Sequence, residues 1–188
     1  MKKSLLFALT MAAALGCSAL YADDSGKNGK QDNGKHDDRS NILEFQNMVG
    51  VPRPYTGATN AIRGVAGGGL PWVIGSAQGE LDVDGHLEVQ VTGLVIDPND
   101  PAAITAGAAG QNPLATFAAI VSCQSKDMAG AATVVNMMTS AFPATTGPAT
   151  AGGGNARIET FLQLPKPCIA PIVFVTSPGG AWFAATGF

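Results

Sequence analysis

The stretch ELDVDGHLEVQV, residues 80–91, decides the fold class. Leu81 and Val83 alternate with Glu80 and Asp82. Beyond Gly85, Leu87, Val89 and Val91 alternate with Glu88 and Gln90. Period-two alternation on both sides of an Asp-Gly pair is the pattern of a half-buried β-hairpin. Asp84-Gly85 suits a two-residue turn, but parity rejects that loop. It would oppose Val83 to His86 and Leu81 to Glu88, mixing the two faces. A three-residue loop, Asp84-Gly85-His86, opposes Val83 to Leu87 and Leu81 to Val89 and keeps one face apolar. The pattern therefore predicts an odd loop or an equivalent bulge.

Outward from the hairpin, short apolar runs alternate with Gly, Pro, Asn and Asp. They predict strands over 71–83, 87–96, 114–123, 132–138, 156–164, 169–176 and 181–187, with a short one near 60–65. AAITAGAAG at 102–110 is rich in Ala but broken by Gly, so no helix of useful length is predicted. The expected fold is all-β: a single β-sandwich, Ig-like or jelly-roll-like, of seven or eight strands. A partly closed barrel shares the same pattern. Residues 42–188 form the domain, long enough for a real core. The chain ends in Phe188 after a β-like run, as outer-membrane barrels do. Its strands are short, though, and lack aromatic girdles and a lipid-facing alternation.

Upstream, residues 23–41 (DDSGKNGKQDNGKHDDRSN) are polar, Gly-rich and almost without apolar side chains. Such a segment cannot offset its chain entropy and reads as a disordered tether. His36 lies there beside Asp37 and Asp38, in solvated surroundings. Residues 1–22 read as a signal peptide. Lys2 and Lys3 precede the apolar run Leu5–Gly16, which is too short to span a bilayer, and small residues follow. Two processing routes fit: cleavage after Ala19 or Ala22, or lipidation at Cys17, which follows Gly16 but has Ala14 where Leu is usual. The chain is thus expected in the periplasm or outside the cell, or alternatively as an outer-membrane lipoprotein. Either route leaves Cys123 and Cys168, and an oxidising compartment predicts that they pair.

Beyond the signal, nine basic residues face fourteen acidic ones. Phosphate binding needs clustered Lys and Arg, so nucleic acid is not an expected partner. Membrane contact is expected only through a lipid anchor. The charged fraction, 13%, is low beside the roughly 25% of globular chains. It suits an extracellular β domain or a self-associating one.

The three-residue register sets Asp82 opposite Glu88, with Glu80 and Asp84 near. Like charges directly opposed destabilise a strand pair. A Ca²⁺ ion held by Asp82, Asp84 and Glu88 would relieve this, and Asp97, Asn99 and Asp100 form a second oxygen-rich stretch. The spacing matches no calcium-loop motif, and solvated turn residues are the simpler reading. No other cofactor is indicated. His86 is the domain's one histidine, it sits in a turn, and Gly-x-Ser-x-Gly is missing, so no enzyme is expected. A hydrolase would have to use Asp82 and Glu88 as acid and base on a hairpin that offers no cleft. GVAGGG at 64–69 lacks the Lys-Ser/Thr ending and a following helix, and reads as a loop, like Gly152-Gly153-Gly154. Trp72, Trp182 and Tyr55, with Phe183, form a candidate platform for sugar rings, and core packing is the competing reading. Trp182 and Phe183 are adjacent and point to opposite faces of a strand. One of them must face outward or be covered by a loop or a partner.

Three blocks, NAIRGVAGGGLPWVI at 60–74, FPATTG at 142–147 and CIAPIVFVTSPGGAWFAATGF at 168–188, resemble a group of uncharacterised bacterial secreted proteins of similar length. The resemblance implies an exported bacterial domain and carries no activity. The expected function is a non-enzymatic binding or adhesion domain for an extracellular or envelope ligand. The alternative is a self-assembling cell-surface subunit that pairs through the edge of 169–188.

Overall fold

The computed structural model describes residues 40–187. The signal peptide with Cys17, and the tether up to residue 39 with His36, lie outside the described residues. In chain order the strands are β1 (Asn41–Phe45), β2 (Val49–Gly50), β3 (Trp72–Val73), β4 (Ser76–Asp82), β5 (His86–Thr92), β6 (Val95–Ile96), β7 (Gln111–Asn112), β8 (Thr116–Lys126), β9 (Ala132–Met138), β10 (Phe142–Pro143), β11 (Gly147–Pro148), β12 (Ala156–Phe161), β13 (Ile169–Thr176) and β14 (Trp182–Ala185). One five-residue helix, α1 (Pro101–Thr105), lies between β6 and β7.

Two antiparallel sheets form the sandwich. The first has the order β1-β4-β5-β12. The second runs β10-β8-β13-β14-β2, with β9 also paired to β8. Two short ladders, β3–β6 and β7–β11, complete the described structure, and none of these sheets closes into a barrel. Leu81, Leu87, Val89, Val91 and Ile158 of the first sheet share one buried cluster with Phe117, Ala119, Val121, Val173 and Val175 of the second. Each of these Leu, Val, Ile and Phe side chains contributes roughly 1.5–3 kcal/mol by leaving water.

β8 differs from the other strands. Every residue from Phe117 to Cys123 is buried, so this strand is covered on both faces, as its unbroken apolar run requires. One face meets the first sheet. The other, which holds Ala118, Ile120 and Ser122, shares its side of the ladder with Ile172, Phe174 and Thr176. The chain between β2 and β3 lies against this outer side: Trp182 N donates to Ala66 O, Gly68 N donates to Trp182 O, and the Arg63 guanidinium donates to Ser122 O.

The hairpin keeps the expected parity in a different register. Leu81 pairs with Leu87, Gly79 with Val89 and Ala77 with Val91. The loop is still three residues, Val83-Asp84-Gly85, but sits one residue earlier than expected, so every pairing is shifted by two. The cause is Asp82. Its Oδ1 accepts from Asp84 N (2.9 Å) and His86 N (2.8 Å), while Asp82 O accepts from Gly85 N. This side-chain turn folds Asp82 inward and turns Val83 out, 48% exposed. Gly85 has φ +89°, and a Cβ there would collide with the Leu162 carbonyl. On the same sheet Phe45 lies over Gly79, filling the place of the missing side chain.

Other expected boundaries shift. The run 71–83 divides into β3 and β4, and 87–96 into β5 and β6. The stretch 60–65 closes a tight turn through the Ile62–Val65 bridge, not a strand. The helix α1, five residues long, stays within the expectation that no helix of useful length forms. Asp100 caps it, accepting from Ala103 N at 3.0 Å, and Pro101 occupies its first turn.

Cys123 and Cys168 are joined by a disulfide with Cα atoms 4.9 Å apart, tying β8 to the entrance of β13 across a sequence separation of 45. Loop closure of that length is worth about 4 kcal/mol in the chain-entropy model. The Cys123→Ala/Cys168→Ala variant is therefore expected to lose most of that in urea unfolding. A loss under about 1 kcal/mol would mean that the reduced unfolded chain is already constrained.

Candidate functional site

The acidic hairpin is a flat polar face. The register aligns Glu44, Glu80, Glu88 and Glu159 in one row across β1, β4, β5 and β12. The expected opposition of Asp82 to Glu88 is thus replaced by Glu80 against Glu88. Arg157 relieves part of the repulsion, its Nη2 lying 3.1 Å from Glu88 Oε1 and 3.0 Å from Glu159 Oε2, and Asn41 Nδ2 donates to Glu80 Oε2. Beyond this row, Gln78 donates to Gln90, and the Ser76 and Thr92 hydroxyls meet at 2.6 Å. Of the three carboxylates expected to hold Ca²⁺, Asp82 is buried in the turn, Asp84 follows it in the loop, and Glu88 stands on the open row. Among the described residues, no group of three or more His, Cys, Asp and Glu is gathered closely enough to hold a metal ion. The acid–base pairing of Asp82 with Glu88 meets the same geometry, because Asp82 is buried against the backbone of its own turn while Glu88 stands on the open row. His86 is half-buried, with Nε2 3.8 Å from Glu159 Oε1 and its ring against Phe161.

The second oxygen-rich stretch is spent on local structure. Asp97 Oδ1 accepts from Asn99 N. Asp100 caps α1 and receives a two-pronged contact from Arg53, Nε to Oδ2 at 2.8 Å and Nη2 to Oδ1 at 3.2 Å. This pair joins the segment after β2 to the start of α1. It borders an open groove of about 520 Å³ that Pro52, Trp72, Asp97 and Asn99 also line. The groove is the larger concavity, but its guanidinium and its buried carboxylate are already committed to each other.

The aromatic residues separate. Trp72 is 5% exposed, stacks on Phe183 with ring centres 4.0 Å apart and meets Phe117 edge-on. It belongs to the core between the sheets, which corrects its placement on a surface platform. Phe183 shares that core. Trp182, its neighbour, points to the other side and packs against Phe174 with ring centres 5.9 Å apart. The expected opposition of Trp182 and Phe183 holds, and the backbone of Trp182 is bridged by the chain from Ala66 to Gly68. Tyr55 stays outside, 42% exposed.

Trp182 and Tyr55 nevertheless meet in one place. They line a recess of about 420 Å³ together with Val49, Pro52, Ile62, Ile172, Phe174, Ala185, Thr186 and Gly187. The recess lies on the outer side of the second sheet, beneath the segment that follows β2. Its lining is almost wholly apolar. The Thr186 hydroxyl already accepts from Val173 N, and the Trp182 Nε1–H is buried with no hydrogen-bond partner among the described residues. Sequence reasoning singled out Trp182 and Tyr55 but missed Ile62, Ile172 and Phe174, which register and a non-local loop bring to them. Comparison with protein-family models, with curated proteins and with solved structures gives no match.

The Arg53–Asp100 pair makes stability pH-dependent. The hydrogen bond from Arg53 leads in holding the Asp100 carboxyl below its ordinary value of 3.8. The N–H groups of Ala103 and Ala102 and the charge of Arg53 add to it, against the opposing effect of burial. A carboxyl depressed in the folded state contributes stability that is complete above the unfolded value and lost as pH falls through the folded one. Stability of the parent is therefore expected to fall more steeply below pH 3.8 than that of Asp100→Asn, in urea titrations at successive pH values. Parallel acid limbs would remove the pair as a contributor.

Proposed function

We propose that this chain is an exported, non-enzymatic binding domain whose ligand site is the recess of Tyr55, Ile62, Phe174 and Trp182. The recess carries the reading. Its volume of about 420 Å³ falls in the range of small-molecule sites, which are mostly apolar and aromatic with few polar groups. The disulfide suits an oxidising compartment, and no helix among the described residues is long and apolar enough to cross a membrane. Apolar walls favour an apolar guest over a sugar, whose hydroxyls would lose water without finding partners. Small aromatic molecules are therefore expected to raise the melting temperature, and soluble glycans to leave it unchanged. Tyr55→Ala, at an exposed position, should weaken aromatic binding about fivefold. Stabilisation by glycans alone would move the site to the polar face of the first sheet.

A second reading, self-assembly at the cell surface, has one observation in its favour. The expected edge at 169–188 is not an edge, because β13 lies between β8 and β14, and β14 between β13 and β2. β9 is one instead. It pairs with β8 through seven unshifted positions, and its other side meets no strand among the described residues. It has no Pro and no charge, the devices that usually blunt a free edge. If copies join there, light scattering on a sizing column gives oligomers that grow with concentration, and Val134→Lys returns them to monomer. A concentration-independent monomer removes this reading.

A further inference from the structure

We infer that the recess takes a small, largely apolar molecule bearing one hydrogen-bond acceptor, and that the acceptor docks on the indole N–H of Trp182. This rests on the reading of the recess as a ligand site and specifies its chemistry. Trp182 is 2% exposed, and its Nε1–H has no partner among the described residues. An indole nitrogen can only donate, and a buried one ordinarily finds an acceptor. Leaving it unpaired is unfavourable. The residue is also held in place. Its N–H and C=O are engaged by Ala66 and Gly68, and its ring rests on Phe174. It does not have the freedom to swing toward a distant partner in the protein.

The rest of the recess narrows the ligand. The Thr186 hydroxyl is already bonded to Val173 N. Ile62, Ile172 and Phe174 offer no polar group, and the Tyr55 hydroxyl belongs to an exposed rim residue. One unsatisfied donor inside apolar walls matches a ketone, ester or ether on a hydrocarbon body. Polyols and charged molecules would bring groups that nothing there can satisfy. Nε1 is itself covered, so the acceptor reaches it only as the recess wall gives way on binding.

The test uses the exported chain, oxidised and ¹⁵N-labelled, with two probes of matched shape: acetophenone, which carries a carbonyl, and cumene, which does not. The two tryptophans give two indole N–H signals. The Trp182 signal is assigned by its loss in Trp182→Phe, or by nuclear Overhauser contacts to Phe174 if that variant does not fold. Acetophenone is expected to move this signal downfield as a hydrogen bond forms, and cumene to bind without that shift. Trp182→Phe should weaken acetophenone about fivefold more than cumene. If both probes bind, Tyr55→Ala weakens both and the indole signal responds alike to each, the acceptor inference is overturned while the binding reading stands. If neither binds at saturation, both fall together.

Discussion

The sandwich is organised around one constraint: β8 is apolar on both faces. A strand of that kind cannot sit at a surface and needs two covers. The first is the sheet β1-β4-β5-β12, which supplies Leu81, Leu87, Val89, Val91 and Ile158 in regular alternation. The second is not a sheet. The chain between β2 and β3 lies over the other side, anchored by single backbone bonds to Trp182 and by the Arg63 guanidinium on Ser122. Regular strands pack their side chains in step, whereas an irregular segment fills space unevenly. The recess lies on that irregular side, so the same requirement that buries β8 also accounts for the place of the candidate site.

What could be read in the sequence follows from how local each determinant is. Parity of the hairpin was legible, because a period of two admits only even or odd loops. Its register was not, because the two-residue shift comes from Asp82 turning its carboxylate onto the N–H groups of Asp84 and His86. Alternation marks Asp82 as polar and therefore outward, and a side chain that satisfies backbone donors overrides that assignment. The helix was announced by Asp100-Pro101, an N-cap followed by a residue preorganised for the first turn. The run AAITAGAAG beyond it drew attention to glycine breaks instead. The disulfide followed from export and cysteine count. The recess was legible only as two of its aromatic residues, since Ile62 arrives from a loop far away in sequence.

The row Glu44–Glu80–Glu88–Glu159 draws the eye first, but it is the weaker place for a ligand. A flat sheet surface keeps its carboxylates hydrated, and Arg157, set among them, is shared between Glu88 and Glu159. Hydrated like charges opposed on an open sheet face cost on the order of tenths of a kcal/mol, too little to require a counterion. A buried donor without a partner is a larger deficit. By that comparison the unsatisfied chemistry of this domain lies in the recess, on the opposite sheet.

The Arg53–Asp100 pair connects the two concavities. Pro52 lines both the open groove and the recess, and Arg53 follows it directly. The guanidinium grips the carboxylate that caps α1. The segment forming the rim of the recess is thus fixed at its start by an ion pair and farther on by the bonds from Trp182 N to Ala66 O and from Gly68 N to Trp182 O. Between those anchors lie Tyr55 and Ile62, which line the recess and belong to no strand. The rim is a loop and not a strand of either sheet, so a guest that displaces it leaves the sheets undisturbed. The walls that must stay rigid for specificity, Phe174 and Trp182, are on strands of the core.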